Sequence, residues 1–100
     1  MANYTIFNAG RVVQGDARLV LESIRQRSAE DNDEIRAMSI DDYAAAIIED
    51  APYFLEPNLL QTLCKVRFSN EYERALTYLA QMPTSDVRII SANGQTPIAS

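Results

Sequence analysis

Two pairs of adjacent carboxylates are the side chains of this sequence best placed to do chemistry: Asp41 with Asp42, and Glu49 with Asp50. Carboxylates that converge in a cleft can act as a general acid and a general base. In a helix, however, adjacent residues project about 100° apart, so neither pair converges on a substrate without help. We therefore expect no catalytic role for these four residues.

The rest of the sequence lacks the usual partners of catalysis. It has no histidine, a single cysteine and three glycines, so it offers no nucleophile–base pair, no zinc cluster and no phosphate-binding glycine loop. Asp31 and Asp33 have the spacing of calcium ligands, but the glycine and glutamate of a calcium loop are missing. The sequence predicts a protein that is not an enzyme and holds no cofactor or metal.

The paired carboxylates belong to a segment with a clear helical pattern. Ser39 and the carboxylate three residues later resemble a capping box, so the helix should begin at Ile40. An apolar stripe follows the period of 3.6 residues. It consists of Ile40, Tyr43, Ala44, Ile47, Ile48 and Ala51. Pro52 disfavours helical backbone at the preceding residue, which predicts that the helix ends near Asp50 or Ala51.

The polar face of this helix carries Asp42 and Glu49 two turns apart, with only Ala45 and Ala46 between them. Glu49 and Asp50 also lie near the predicted negative end of the helix dipole, where each carboxylate costs about 0.3 to 1 kcal/mol. These charges are either simply solvated or kept for binding. The binding hypothesis defines an acidic set, consisting of Asp41, Asp42, Glu49 and Asp50.

Charge is unevenly distributed along the chain. Of the net charge of −5, all arises in residues 1–50, which hold ten acidic and five basic side chains against four of each in residues 51–100. An acidic surface of this kind attracts a basic protein surface and repels the phosphates of nucleic acid. The expected function is therefore a small interaction protein, such as an adaptor, an immunity or antitoxin protein, or a phage-type inhibitor.

A nucleic-acid-binding regulator of the winged helix-turn-helix type is the alternative. Two predicted helices joined by the turn 67–70 and followed by a possible hairpin at 87–98 have the required order. A reading helix that starts at Asn70 would present Glu71, Glu73 and Arg74 to the groove, and two carboxylates there oppose phosphate. A modest basic patch remains possible, consisting of Lys65, Arg67 and Arg74.

The N-terminal residues predict a hairpin and a helix. Strand-forming residues 4–7 and 11–13 flank a predicted three-residue turn, 8–10. Asp16 can cap a helix that runs to about Arg27, and Leu19 falls on its polar side. A polar linker, 29–34, and one helical turn that buries Ile35 and Met38 complete this half.

The C-terminal residues predict two more helices and a strand. Pro57 can start a helix that ends near Arg67 or Phe68, with a wide buried face. That face consists of Leu59, Leu60, Leu63, Cys64 and Val66. Asn70 can cap a last helix that ends before Pro83. A strand at 87–90 is then expected to continue through a hairpin to 95–98. We expect one α+β domain over residues 1–100, with the strands in an antiparallel sheet.

The composition bounds location and assembly. The longest apolar run is six residues, 43–48, far shorter than the roughly 20 that a membrane span needs, and the N-terminus lacks the pattern of a signal peptide. We therefore expect a cytoplasmic protein that does not bind membranes. Spare apolar surface at the strands, at Leu19 and at Tyr53 and Phe54 makes a homodimer possible.

Overall fold

The computed structural model describes residues 3–82 and 85–93, which form an α+β domain as expected. The elements in chain order are β1 (Asn3–Asn8), β2 (Arg11–Gly15), α1 (Ala17–Ala29), α2 (Asp33–Arg36), α3 (Ile40–Phe54), α4 (Pro57–Cys64), α5 (Glu71–Gln81) and β3 (Val87–Asn93). The second arm of the predicted C-terminal hairpin, 95–98, lies outside the described residues.

The three strands form one antiparallel sheet in the order β2-β1-β3, so the N-terminal hairpin joins the C-terminal strand through β1. Asn8 pairs with Arg11, which leaves Ala9 and Gly10 as a two-residue turn with φ of 48° and 88°. Positive φ at both positions is typical of a type I′ turn, whose twist matches that of the strands. The prediction of a three-residue turn was therefore wrong.

The helices cover one face of the sheet. Tyr4 and Ile6 alternate along β1 and are buried against α1 and α5, while α3 packs on α5. The core of the described residues also includes side chains from each of these helices: Val20, Leu21, Ile24, Ala44, Ile47, Ala51, Ala75, Leu76 and Tyr78. Since no single helix buries its apolar stripe by itself, the domain is held by the packing of α1 on β1, of α5 on β3, and of α3 on α5 and α1.

The predicted helix starts are confirmed. Asp16, Ser39 and Asn70 each accept a hydrogen bond from the backbone N–H three residues later, with N···O distances of 2.8, 3.1 and 2.9 Å. These caps satisfy donors that a helix leaves free at its first turn. α1 runs two residues beyond the expected end at Arg27, and the expected linker contains a fourth cap, Asn32, which starts the single turn of α2.

α3 continues through Pro52 to Phe54, so the predicted end near Asp50 or Ala51 was wrong. A proline in the last turn removes only the hydrogen bond that its own nitrogen would have donated to the carbonyl of Ile48. The turn closes regardless, because the Leu55 N–H donates to the Ala51 carbonyl at 3.0 Å. The extra turn places two aromatic residues on the helix.

Two burial predictions need correction. Ile47 is buried, but Ile48 is only half-buried at the edge of the core. α4 ends at Cys64 rather than near Arg67 or Phe68, only its Leu63 is fully buried, and Cys64 is exposed. α4 contacts mainly α3 at the periphery of the domain, so a single row of its side chains reaches the core. In the described part of the chain, no helix combines the length and apolarity needed to cross a membrane.

Candidate functional site

The acidic helix α3 presents one continuous exposed row. Asp42, Ala45 and Glu49 are exposed and lie at i, i+3 and i+7, and Tyr53 follows at i+11 on the same side. At 1.5 Å per residue the row is about 16 Å long. It begins with a carboxylate and ends with an aromatic ring, and Asp50 lies exposed beside it.

The aromatic end of the row is unusually open. Tyr53 is 83% exposed and Phe54 is 51% exposed, although both belong to the last turn of a helix whose other face is buried. We call Asp42, Ala45, Glu49, Asp50, Tyr53 and Phe54 the α3 surface. The sequence-based site omitted both aromatic residues because the helix was expected to end before them. The spacing of Tyr53, 11 residues after Asp42, and that of Phe54, four residues after Asp50, are the signals that could have included them.

Asp41 differs from the other members of the acidic set. Its carboxylate accepts a hydrogen bond from the Tyr72 hydroxyl of α5, and the Arg18 guanidinium lies 6.0 Å from the centre of the Tyr72 ring. The hydrogen bond to Asp41 raises the pKa of the Tyr72 phenol above its ordinary value. Asp41 therefore ties α3 to α5 and is a poor candidate for contact with a partner.

The remaining carboxylates of α3 make no ion pair with a residue that the structure describes. Among the described residues the ion pairs are Arg25 with Glu22 and Arg36 with Asp33, and neither involves α3. The helix dipole argument also weakens, because α3 ends at Phe54 and Glu49 no longer lies in its last turn. What distinguishes this surface is the combination of free negative charge and exposed aromatic rings.

The basic residues of the alternative site have different surroundings. Lys65 and Arg67 are exposed in the segment after α4. Arg74 instead faces Tyr78: its Nε donates to the Tyr78 hydroxyl at 3.0 Å and its guanidinium lies 5.4 Å from the ring centre. Arg74 and Tyr78 line an open cavity of about 310 Å³ that Lys65 and Arg67 do not line.

In the nucleic-acid alternative Glu73 would be one of the side chains presented to the groove, but the fold buries it. Its side chain is only 4% exposed, and its Oε1 accepts a hydrogen bond of 2.6 Å from the Tyr4 hydroxyl of β1. A buried carboxyl group is stable only with such a partner. Glu73 therefore connects α5 to the central strand and is unavailable for contacts outside the domain.

Apolar side chains are also exposed on the open face of the sheet. Phe7 and Val12 are cross-strand partners, and both are exposed together with Ile90 of β3. Leu19 is exposed as expected, and its side chain lies over Gly15. The expected homodimer would have these side chains available, and it stays a prediction.

Comparisons with known proteins found no matching family model, no similar curated protein and no similar solved structure. The functional conclusion therefore rests on the geometry and charge of the residues described above.

Proposed function

We propose that this protein acts by binding another protein through the α3 surface, and that the partner has a basic patch beside an apolar pocket. The observation that carries the proposal is the exposure of Tyr53, 83%, at the end of an exposed acidic row. Tyrosine is enriched among the residues that dominate binding energy at protein interfaces. A large aromatic ring left in water on an otherwise packed helix is an anchor of this kind.

Charge and shape support the same surface. Asp42, Glu49 and Asp50 make no ion pair with a described residue, so they can attract a basic partner and accelerate its association. Ala45 keeps the centre of the row low, which lets a partner approach the helix backbone closely. A protein that acts by binding another protein can be an adaptor, an immunity or antitoxin protein, or a phage-type inhibitor. All of them act by occupying the surface of another protein.

Binding of nucleic acid is the second candidate, and no specific contact favours it. With Glu73 buried, α5 would present Glu71 and Arg74 together, one negative and one positive charge. Binding that depends on phosphate contacts weakens steeply with salt, so a mobility-shift assay with random duplex at low salt distinguishes the two classes. Saturable binding of the duplex there would favour the nucleic-acid candidate.

The proposal is tested by affinity capture from native lysate with quantitative identification of the retained proteins. Two variants alter the surface by different chemistry: Glu49→Gln with Asp50→Asn removes charge, and Tyr53→Ala removes the anchor. The amount of a true partner that is captured should fall at least tenfold with Tyr53→Ala, since an interface anchor contributes about 2 kcal/mol or more to the binding free energy. With the charge variant, its capture should weaken and become less sensitive to salt.

The matched control neutralises two exposed carboxylates elsewhere, by Glu30→Gln with Asp31→Asn. This variant has the same net charge as Glu49→Gln with Asp50→Asn, so it should retain the partner if position rather than total charge matters. Thermal melts of all variants exclude unfolding as the cause of a loss. Equal recovery of the same proteins by wild type and Tyr53→Ala would place the binding surface elsewhere.

A further inference from the structure

A small cavity lies between the β1–β2 hairpin and the second half of α1. Its charge is opposite in sign to that of the α3 surface. Its volume is about 100 Å³, roughly that of three water molecules. Polar side chains dominate its lining: Asn8, Arg11, Ser23, Gln26, Arg27 and Glu30. Two arginines against one carboxylate make it locally basic in a protein of net charge −5.

The fold brings these residues together for clear reasons. Asn8 lies on the buried face of β1, in alternation with Tyr4 and Ile6. Arg11 is its direct cross-strand partner, so both side chains leave the sheet on the side that α1 covers. Four lining residues on α1 and at its C-cap are spaced i, i+3, i+4 and i+7, which places them on one face of the helix. They are Ser23, Gln26, Arg27 and Glu30.

The two guanidinium groups have no counter-charge of their own. Neither Arg11 nor Arg27 makes an ion pair within the described part of the chain, in contrast to Arg25 and Arg36. Both arginines line the cavity and both are exposed to solvent, so an anion that enters the cavity meets two positively charged side chains. Glu30 supplies a single carboxylate at the rim, which leaves an excess of positive charge.

Asn8 adds a polar group to the lining from the sheet side. It is only 7% exposed and lines the cavity. Among the described residues, no fully buried side-chain nitrogen or oxygen lacks a hydrogen-bond partner. An asparagine NH₂ group offers two donors, so the Asn8 amide can donate to a ligand that enters the cavity.

We propose that this cavity binds one phosphate group, from inorganic phosphate or from a small phosphate monoester. The guanidinium groups of Arg11 and Arg27 donate to the phosphate oxygens, as arginine does in paired hydrogen bonds, and the Asn8 amide donates from the floor. Ser23 and Gln26 add donors at the side. At about 100 Å³ the cavity has room for one phosphate group, and the rest of a monoester would lie outside it.

The proposal is tested by isothermal titration of the full chain with inorganic phosphate and, separately, with O-phosphoserine, at constant ionic strength. Arg27→Gln and Arg11→Gln should each weaken binding about tenfold or more, since each removes a charged, bidentate donor. Glu30→Gln should tighten binding, because it removes the one opposing charge. Arg67→Gln, an exposed arginine outside the cavity, is the matched control and should bind as wild type.

Asn8→Asp tests the floor of the cavity without changing its size. It replaces the amide donors by a carboxylate, so it should abolish phosphate binding, and a thermal melt shows whether the domain still folds. Binding of phosphate alone or of the monoester alone would identify the source of the group. Failure of wild type to bind either, or equal binding by wild type and the two arginine variants, would overturn the proposal.

Discussion

The buried hydrogen bond between Tyr4 and Glu73 should be one of the strongest single contributions to stability in this domain. It joins the central strand β1 to helix α5 across 69 positions of sequence, with an O···O distance of 2.6 Å. Tyr4 is 1% exposed and Glu73 is 4% exposed, so water cannot replace either partner. In Tyr4→Phe the ring still fills its place, but the carboxyl oxygen loses its donor. We expect a loss of about 1 to 3 kcal/mol of unfolding free energy.

A double-mutant cycle separates this bond from the packing around it. Glu73→Met alone leaves the Tyr4 hydroxyl buried without its acceptor and should also destabilise the domain. The double variant Tyr4→Phe with Glu73→Met removes both polar groups, which can be nearly neutral for a buried pair. The two single losses should therefore exceed the loss in the double variant by about 1 to 3 kcal/mol.

The assay is urea denaturation followed by circular dichroism at neutral pH. Tyr72→Phe is the matched control, because it removes a tyrosine hydroxyl whose hydrogen bond, to Asp41, is exposed. The unfolding free energy of that variant should fall by less than about 1 kcal/mol. If Tyr4→Phe unfolds at the same urea concentration as wild type, or if the two single effects simply add, the buried hydrogen bond does not stabilise the fold as argued.

Two further predictions follow from burial. Ile47→Ala should lower the unfolding free energy by about 2 to 5 kcal/mol, and Ile48→Ala should lower it clearly less, because only Ile47 is fully buried. Equal urea midpoints for the two variants would contradict this difference. Burial raises the pKa of the Tyr4 and Tyr43 phenols above their ordinary value of about 10, so these groups ionise first in the unfolded chain. Stability should then be intact below about pH 10 and fall above it by up to about 1.4 kcal/mol per pH unit for each such tyrosine. Urea titrations from pH 8 to 11 check this, and an alkaline slope unchanged in Tyr4→Phe would exclude Tyr4 as a source.

The parts of the fold that the sequence predicted are those with local causes. Asp16, Ser39 and Asn70 act within one helical turn, so their side chains alone mark where α1, α3 and α5 begin. The strands and the antiparallel sheet followed from similar short patterns. The error in the β1–β2 turn concerns a single residue. Asn8 was assigned to the turn, but it pairs with Arg11 in the sheet, and Ala9 and Gly10, both with positive φ, form the turn without it.

The parts that the sequence could not supply depend on contacts between distant residues. Asn70 was predicted to cap α5, and the Glu73 N–H does donate to it, but the sequence does not indicate that the Glu73 side chain binds Tyr4. Cys64 lies on an apolar stripe, yet it is exposed because α4 packs at the edge of the domain. Nothing near either residue in the sequence indicates these outcomes.

The candidate site changed for the same reason, and the change alters what its variants should do. When α3 was expected to end near Asp50 or Ala51, Glu49 and Asp50 opposed the helix dipole, so neutralising them was expected to leave the domain as stable or slightly more stable. Because the helix runs on to Phe54, the dipole effect, which fades within one turn, reaches them only weakly. The charges of Glu49 and Asp50 should therefore neither raise nor lower the stability of the domain by much. Loss of a partner in Glu49→Gln with Asp50→Asn, at unchanged melting temperature, can therefore be assigned to the binding surface itself.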